Sequence, residues 1–285
     1  MSKIVDCTTI AQKIKDEVKA EVELLGIKPC LAVVIVGDDP ASKTYVRNKE
    51  KVCEEVGIES KTVRLSGDID QYALETVVKS LNEEPTVHGI LVQLPLPKHL
   101  DEQKVIDLIA PHKDVDGLTI ANQGLLALGR LNEAIIPCTP AGVLRIFDEI
   151  EYDLQGKRVT IVGRSNLFGK PMAQLALSRN ATVKMCHSKT DSLMMETSNA
   201  HVLICAIGQP KFIDSKYTDY NEVVVDVGIN RDEHGKLCGD VDLQDVIDNS
   251  WSDNLKHITP VPRGVGVLTT SMLAKNVLKC FLKQI

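Results

Sequence analysis

The sequence predicts an α/β protein with two lobes, each a parallel sheet packed with helices. Short runs rich in valine and isoleucine alternate with helical stretches along the whole chain. These runs are continuously apolar rather than alternating, which is typical of strands covered on both faces in a parallel sheet. The pattern occurs twice in tandem, so we expect two βα lobes and an inter-lobe cleft as the default place for a ligand.

The first array contains three apolar runs that end at glycine or proline. These predicted strands are "CLAVVIVG" (30–37), "KTVRL" (61–65) and "HGILVQLPLP" (88–97). The predicted helices lie near 9–25, 41–56, 70–82 and 101–110. Strands that alternate with helices of this length indicate βαβ units.

The second array repeats the pattern after "PCTPAG", which opens a long helix near residues 137–150. Its predicted strands are "KRVTIVG" (157–163), "ATVKMCH" (181–187), "HVLICAIG" (201–208) and "EVVVDVGI" (222–229). The last amphipathic stretch, "TSMLAKNVLKCFLKQI", can pack back on the first lobe. We therefore expect one domain of residues 1–140 plus 268–285 and a second of residues 141–267.

Composition excludes several classes of protein. The chain has 285 residues, of which 44% are hydrophobic, so a sizeable core is expected. A net charge of −6 without a basic block argues against binding to nucleic acid or to a membrane surface. No apolar run reaches about 20 residues, and the N-terminus lacks the layout of a signal peptide. These features favour a cytoplasmic protein.

Eight cysteines are scattered along the chain without a C-x-x-C pair. Several lie inside apolar runs, which predicts buried free thiols in a reducing compartment. No Cys/His cluster has ligand spacing, so we expect no metal site.

The segment "VTIVGRSNLFGKPMAQLAL" predicts a strand, a tight loop and a helix. Gly163 closes the strand and Gly169 precedes the helix, whose free amides could hold a phosphate. Ser165 takes the second glycine position of G-x-G-x-x-G, so the spacing is unusual. The loop is either a dinucleotide site or an ordinary βα turn.

The end of the next strand bears on the choice of cofactor. An NAD site usually has an acidic residue there, whereas "CHSK" (186–189) has none until Asp191. Arg164 and Ser188 could instead bind a 2′-phosphate through charge-assisted hydrogen bonds, which favours NADP. The alternative for Arg164 is a solvated loop charge.

Three polar residues follow strands of the first lobe. Gln93 lies in "VQLPLP", as either a satisfied core amide or a site residue. Asp114 and Asp116 lie in "HKDVDG", where they form an Asx-type turn or supply one carboxylate that accepts paired N–H donors from a heterocycle.

Tyr45 and Lys49 are four residues apart, so on a helix they share one face. The simplest interpretation of Lys49 is a solvated surface lysine. As a base near neutrality, a lysine would need its pKa lowered by roughly 3 units, which corresponds to about 4 kcal/mol against the charged form. Burial in a cleft could supply that shift.

Taken together, these segments resemble the bifunctional methylenetetrahydrofolate dehydrogenase/methenyltetrahydrofolate cyclohydrolase family. The matching segments, from about residue 36 to residue 270, are "VGDDPASKTYVRNKEKVCEEVGI", "GILVQLPLP", "KDVDG", "PCTPAG", "VGRSNLFGKPMA", "CHSKT", "VDVGIN", "GDVD" and "TPVPRGVGVLT". The order and spacing of these segments make a chance match to the family very improbable.

The resemblance implies oxidation of 5,10-methylenetetrahydrofolate with NADP on a Rossmann-like second lobe, followed by hydrolysis to 10-formyltetrahydrofolate. It implies that Lys49 is the catalytic lysine, that Gln93 positions it, that Tyr45 stacks on the folate, and that Asp116 holds the pterin. The implied cofactor contacts are Gly163, Arg164, Ser165, Ser188 and Ile229, and Pro262 and Gly264 are implied to line the folate pocket. A cytosolic homodimer in one-carbon metabolism is also implied.

The sequence departs from the family in its last loop, usually "TPVPGGVGPMT". Arg263 replaces a glycine, and Val267 and Leu268 replace Pro-Met. If residue 263 needs a positive φ, arginine carries roughly 1 kcal/mol or more of strain, and the loop could sit differently. The alternatives left open are a monofunctional dehydrogenase of the same family, a shikimate-dehydrogenase-like NADP enzyme and a non-catalytic binding relative.

Overall fold

The computed structural model describes residues 3–249 and 254–285. The chain divides into two units, each with its own parallel sheet. The three-stranded unit comprises Gln12–Cys138 and Thr270–Ile285, and the six-stranded unit comprises Met1–Ala11 and Thr139–Thr269. The predicted α/β class with two parallel sheets is confirmed.

The helices and strands alternate through most of the chain. The helices are α1 (Cys7–Leu25), α2 (Pro40–Glu55), α3 (Gln71–Glu83), α4 (Glu102–Asp107), α5 (Ile120–Ala127), α6 (Cys138–Glu149), α7 (Gly169–Ser178), α8 (Leu193–Ser198), α9 (Leu243–Asn249) and α10 (Val265–Leu282), with one 3₁₀ turn (Ser215–Tyr217). The strands are β1 (Lys3–Ile4), β2 (Cys30–Val36), β3 (Glu59–Leu65), β4 (Gly89–Val92), β5 (Arg158–Val162), β6 (Thr182–Cys186), β7 (Val202–Cys205), β8 (Val223–Asp226), β9 (Asn230–Arg231), β10 (Leu237–Cys238) and β11 (His257–Ile258).

The sheet of the three-stranded unit has the order β3-β2-β4, with both pairings parallel. All seven residues of the central strand β2 are buried, which explains why its sequence is an unbroken apolar run. Since β2 is first in sequence and lies in the middle, the chain leaves it toward one side and later returns on the other. The carboxyl end of β2 is therefore a topological switch point, where α/β proteins bind ligands.

The sheet of the six-stranded unit has the order β1-β11-β8-β7-β5-β6, again with every pairing parallel. Here β5 lies between β6 and β7, so the carboxyl end of β5 is the second switch point. The glycine loop that follows β5 thus lies where a dinucleotide is expected. A separate antiparallel pair, β9 with β10, completes the strands of the described residues.

The first residues of the chain do not follow the predicted domain boundary. We predicted that residues 1–140 share one domain, whereas Met1–Ala11 group with the six-stranded unit. The reason is that β1 pairs in parallel with β11, with Lys3 opposite His257. Strands of two residues carry too little hydrophobic pattern to be recognised in the sequence.

Two further features bear on the predicted class. The helix α10 is long and apolar enough by composition to span a membrane, but 61% of that stretch is buried inside the molecule, as in the core helix of a folded domain. All eight cysteines are free and buried, which confirms the prediction of buried thiols. A buried thiol packs as a small, weakly polar side chain.

Candidate active site

The helix α2 starts directly after the switch point of the three-stranded unit and carries Tyr45 and Lys49. Its start is fixed by Asp39, whose carboxylate accepts the Ser42 amide at 2.7 Å, and by Pro40 in the first turn. Gln93 follows β4, the strand on the other side of β2. The topology thus brings α2 and Gln93 together at the carboxyl end of the sheet.

Lys49 and Gln93 form a direct hydrogen bond. The Lys49 amine donates to Gln93 Oε1 at 3.0 Å, and Gln93 Nε2 donates to the Leu94 carbonyl at 2.7 Å. The Gln93 backbone amide also donates to Val34 in β2, and its side chain is 9% exposed. Because the amide is held at both ends, its oxygen is a fixed acceptor for the lysine.

Tyr45 lies one turn before Lys49 on α2 and remains 47% exposed. The residue is thus accessible to a flat ligand, as stacking requires. Val46 and Cys53, which lie roughly 80–100° around the helix from Tyr45, are buried and anchor an adjacent side of the helix in the core. The helix therefore presents Tyr45 at its surface.

The two aspartates of "HKDVDG" have different environments. Asp114 is buried, and its Oδ2 accepts the Thr119 amide at 2.8 Å and Asn122 Nδ2 at 2.9 Å. Among the described residues, Asp116 accepts only the Cys138 thiol, at 3.7 Å. Asp114 is thus a structural residue that holds the start of α5, while the Asp116 carboxylate lacks N–H donors.

Electrostatics distinguishes Asp116 further. Burial, and to a smaller extent the charge of Asp114, raises the pKa of Asp116, whereas the positive charge of Lys49 lowers it. A buried carboxylate without N–H donors is costly in its charged form, and a ligand that supplied such donors would favour ionisation. The Asp116 carboxylate can therefore accept hydrogen bonds from N–H groups of a substrate.

Cys138 and Asn276 belong to the surroundings of Asp116, although no role was predicted for either from the sequence. Asn276 Nδ2 lies 3.4 Å from Cys138 Sγ and donates to the carbonyls of Val115 and Ile136, each at 2.8 Å. Burial and the charge of Asp116 raise the pKa of the Cys138 thiol well above its usual value, so it is a hydrogen-bond donor rather than a nucleophile. The position of Cys138 in the motif "PCTPAG" could have pointed to it as a site residue. No sequence pattern pointed to Asn276.

The glycine loop of the six-stranded unit depends on close backbone contacts. Gly163 has φ +132°, and a Cβ there would lie 2.3 Å from the Ala206 carbonyl oxygen. A Cβ on Gly169 would lie 2.2 Å from the Gly163 carbonyl oxygen. The chain therefore requires glycine at both positions, as a loop that approaches a ligand by its backbone does.

The polar residues of this loop suit a negatively charged ligand. The Ser165 hydroxyl accepts the Phe168 amide at 3.2 Å, and no side chain caps the N-terminus of α7. Arg164 is exposed and makes no hydrogen bond or ion pair within 3–249 or 254–285. An uncapped helix start beside an unpaired guanidinium fits the phosphates of a dinucleotide.

The remaining predicted residues are distributed over three other segments of the six-stranded unit. Ser188 is exposed just after β6, and Ile229, 52% exposed, follows β8. Pro262 is exposed, while Gly264 is buried, and a Cβ at 264 would lie 1.9 Å from the Pro260 carbonyl oxygen. Ser188 and Ile229 thus lie at the carboxyl end of the sheet, as the glycine loop does.

A parallel sheet with a glycine loop at its switch point, together with a glutamine-held lysine in a separate α/β unit, defines a two-unit dinucleotide-dependent enzyme. The profile of the tetrahydrofolate dehydrogenase/cyclohydrolase catalytic domain matches residues 5–116, and that of the NAD(P)-binding domain of the same family matches residues 137–285. The chain belongs to the tetrahydrofolate dehydrogenase/cyclohydrolase family.

Relatives support this assignment over the whole chain. "Bifunctional protein FolD" of Agathobacter rectalis is 48% identical to this chain, and the match covers 97% of this chain and 98% of the relative. "Bifunctional protein FolD" of Listeria innocua is 47% identical, and the match covers 98% of this chain and 97% of the relative. The crystal structure of the bifunctional FolD enzyme from Campylobacter jejuni matches with a TM-score of 0.95 at 43% identity, covering all of both chains.

Other structures separate the alternatives. Trypanosoma brucei FolD, solved with NADP and an inhibitor, matches with a TM-score of 0.91 at 35% identity over 99% of this chain and 98% of its own. A chorismate mutase/shikimate 5-dehydrogenase fusion protein from Clostridium acetobutylicum shares 11% identity and a TM-score of 0.52, so it shares the fold alone. The shikimate-dehydrogenase-like alternative is therefore not supported.

The different roles of the two aspartates can be tested by stability. We expect Asp114→Ala to lower the free energy of unfolding by about 1–3 kcal/mol, because it leaves the Thr119 amide and the Asn122 side chain without their acceptor. Asp116→Ala removes only a weak thiol contact and should cost less than about 1 kcal/mol. Urea unfolding monitored by circular dichroism measures both, and equal losses would contradict the assignment.

Proposed function

We propose that Lys49 exchanges the protons of the reaction and that Gln93 orients it. The chain oxidises 5,10-methylenetetrahydrofolate to 5,10-methenyltetrahydrofolate with NADP and then hydrolyses the product to 10-formyltetrahydrofolate, the two activities of its family. The observation that carries the assignment of roles is the 3.0 Å hydrogen bond from the Lys49 amine to Gln93 Oε1.

The oxidation step requires orientation more than acid or base catalysis. NADP, when bound, accepts the hydride that leaves the methylene carbon. The lone pairs of N5 and N10 stabilise the cation that forms, so the protein must chiefly hold the folate in place. A freely mobile ammonium group beside that carbon would oppose the developing charge, and the hydrogen bond to Gln93 restrains Lys49.

The hydrolysis step requires proton transfer. Water attacks the methenyl carbon and must lose a proton, and ring opening requires a proton on the departing nitrogen. Lys49 is half-buried, has its position fixed by Gln93, and lies on the same helix face as the accessible ring of Tyr45. We propose that Lys49 acts in its uncharged amine form, takes the proton from water and returns it to nitrogen.

Folate recognition is proposed for Tyr45 and Asp116. The exposed Tyr45 side chain can stack on the flat part of the substrate. The Asp116 carboxylate, which has no N–H donor among residues 3–249 and 254–285, can accept the amino and ring N–H groups of the pterin. Pro262 and Gly264 are further proposed substrate contacts, supported by the motif in which they occur.

Cofactor recognition is proposed for the edge of the six-stranded sheet. The Ser165 hydroxyl and the uncapped start of α7 would donate hydrogen bonds to the diphosphate. Gly163, whose own amide donates to the Cys186 carbonyl, would let the dinucleotide approach the backbone closely. Arg164 and Ser188 would bind the 2′-phosphate, and Ile229 would cover an apolar part of the dinucleotide. The unpaired guanidinium of Arg164 supports this division of roles.

We also propose a cytoplasmic homodimer that pairs through the six-stranded unit and associates with neither membranes nor nucleic acid. The net charge of −6 supports the last point. The pairing through the six-stranded unit rests on the family resemblance, and exposed apolar side chains of that unit, including Met195 at 66% and Tyr220 at 57%, are available to a second copy. Light scattering should give twice the mass of one chain, and a monomer at micromolar concentration would refute the pairing.

The role of Lys49 can be tested by Lys49→Met. We expect cyclohydrolase activity to disappear while part of the NADP-dependent dehydrogenase activity remains, because only hydrolysis needs the proton acceptor. The decay of methenyltetrahydrofolate absorbance and the formation of NADPH report the two steps. Lys51→Met changes an exposed lysine of the same helix and should leave both rates unchanged. Full hydrolysis by Lys49→Met would remove the lysine from its role.

The 2′-phosphate contact can be tested by Arg164→Ala. We expect the KM for NADP to rise about tenfold or more while the KM for NAD changes little, since a charge-assisted hydrogen bond contributes roughly 1.5–3 kcal/mol. Initial rates with methylenetetrahydrofolate and each cofactor measure the difference. Arg179→Ala, at the other end of α7 and paired with Asp148 at 3.0 Å, is the matched control. Equal changes with NADP and NAD would argue against the contact.

A further inference from the structure

Asp240, within the "GDVD" segment, is completely buried and accepts four hydrogen bonds. Its Oδ2 accepts the amides of Ile207 at 2.6 Å and Gly208 at 3.2 Å. Its Oδ1 accepts the Gln209 amide at 2.9 Å and Asn230 Nδ2 at 2.8 Å. One carboxylate thus fixes three consecutive residues of one loop and a side chain of another.

Both loops lie at the sheet edge where the dinucleotide is expected. The first follows β7, the strand across the switch point from β6, and begins with Ala206, whose carbonyl lies against Gly163. The second follows β8 and contains Ile229, the residue before Asn230. Asp240 therefore holds two of the segments that border the carboxyl end of β5.

Asp240 is itself held in place by β8. Asp226, the last residue of that strand, accepts the amides of Asp240 at 3.0 Å, Val241 at 2.9 Å and Gly228 at 2.9 Å. The approach is so close that a Cβ on Gly228 would lie 2.4 Å from Asp240 Oδ1. The carboxylate thus sits on a rigid support, as a group that positions others must.

We propose that Asp240 is a positioning residue for NADP, which holds the loops after β7 and β8 in the conformation that binds the dinucleotide. This inference rests on the proposed function of the six-stranded unit. The residue acts through the backbone and Asn230 rather than by touching the cofactor. Without the carboxylate, the amides of Ile207, Gly208 and Gln209 lose their acceptor, and the loops no longer keep one conformation.

The test uses Asp240→Asn in the full-length protein. Both carboxylate oxygens accept two hydrogen bonds, so either orientation of the amide turns its NH₂ group toward N–H donors. We expect the Kd for NADP, measured by intrinsic fluorescence or calorimetry, and the KM for NADP to rise about tenfold or more. The kcat at saturating NADP should fall by less than about threefold, since the reacting groups are unchanged.

Asp245→Asn is the matched control. Asp245 also uses both oxygens, for the Ser215 amide at 2.7 Å and Asn249 Nδ2 at 2.8 Å, but these partners lie on the 3₁₀ turn and α9 rather than on the loops after β7 and β8. Its KM for NADP should equal that of the parent. An equal rise in both variants would show a general effect on the unit and overturn the proposal.

A second variant keeps the proposal testable if Asp240→Asn does not fold. Asn230→Ala removes only the side-chain donor and should raise the Kd for NADP by a smaller factor, about two- to fivefold. An unchanged Kd for NADP in folded Asp240→Asn, or in Asn230→Ala where the first variant does not fold, would overturn the proposal. Failure of the proposed function would appear in the parent itself, as no NADP binding and no dehydrogenase rate, whereas failure of this proposal leaves NADP binding by the parent intact and the Kd of the variants unchanged.

Discussion

Both units depend on one constraint, which is a strand paired in parallel on both of its sides, with the next strand of the chain on one side and the one after it on the other. In the three-stranded unit β2 lies between β3 and β4, and in the six-stranded unit β5 lies between β6 and β7. Parallel pairing requires crossover connections, so the loops after the two flanking strands diverge and leave a crevice at the carboxyl end. Lys49 and Gln93 flank the first crevice, and Gly163 and Ala206 flank the second.

The sequence was sufficient for the elements whose hydrophobic pattern is strong. The long buried strands and α1 to α4 were predicted within a few residues, because an unbroken apolar run or a helical period marks each of them. The paired strands β1 and β11 were missed because a two-residue strand shows no hydrophobic period. Their absence from the prediction also explains the misplaced boundary of the first domain.

The candidate site was harder to predict because its contacts join distant segments. Lys49 and Gln93 are 44 residues apart, and only the family resemblance linked them before the structure was known. Asp114 and Asp116 differ in role because Asp114 accepts hydrogen bonds from Thr119 and Asn122, and the spacing of residues in the sequence cannot reveal these contacts. Asp240 was noted only as part of a motif, and its role requires knowing which loops its oxygens meet.

Arg263 adopts a backbone conformation that favours glycine. Its φ is +68°, the conformation that the usual glycine adopts freely, so the condition for strain is met and costs roughly 1 kcal/mol. The turn persists because Gly264 lies against the Pro260 carbonyl, where no side chain fits. The close contact at 264 constrains the reversal of the chain, and residue 263 must adopt the conformation that the reversal imposes. The substitution therefore adds a positive charge to the loop while its backbone keeps the conformation suited to glycine.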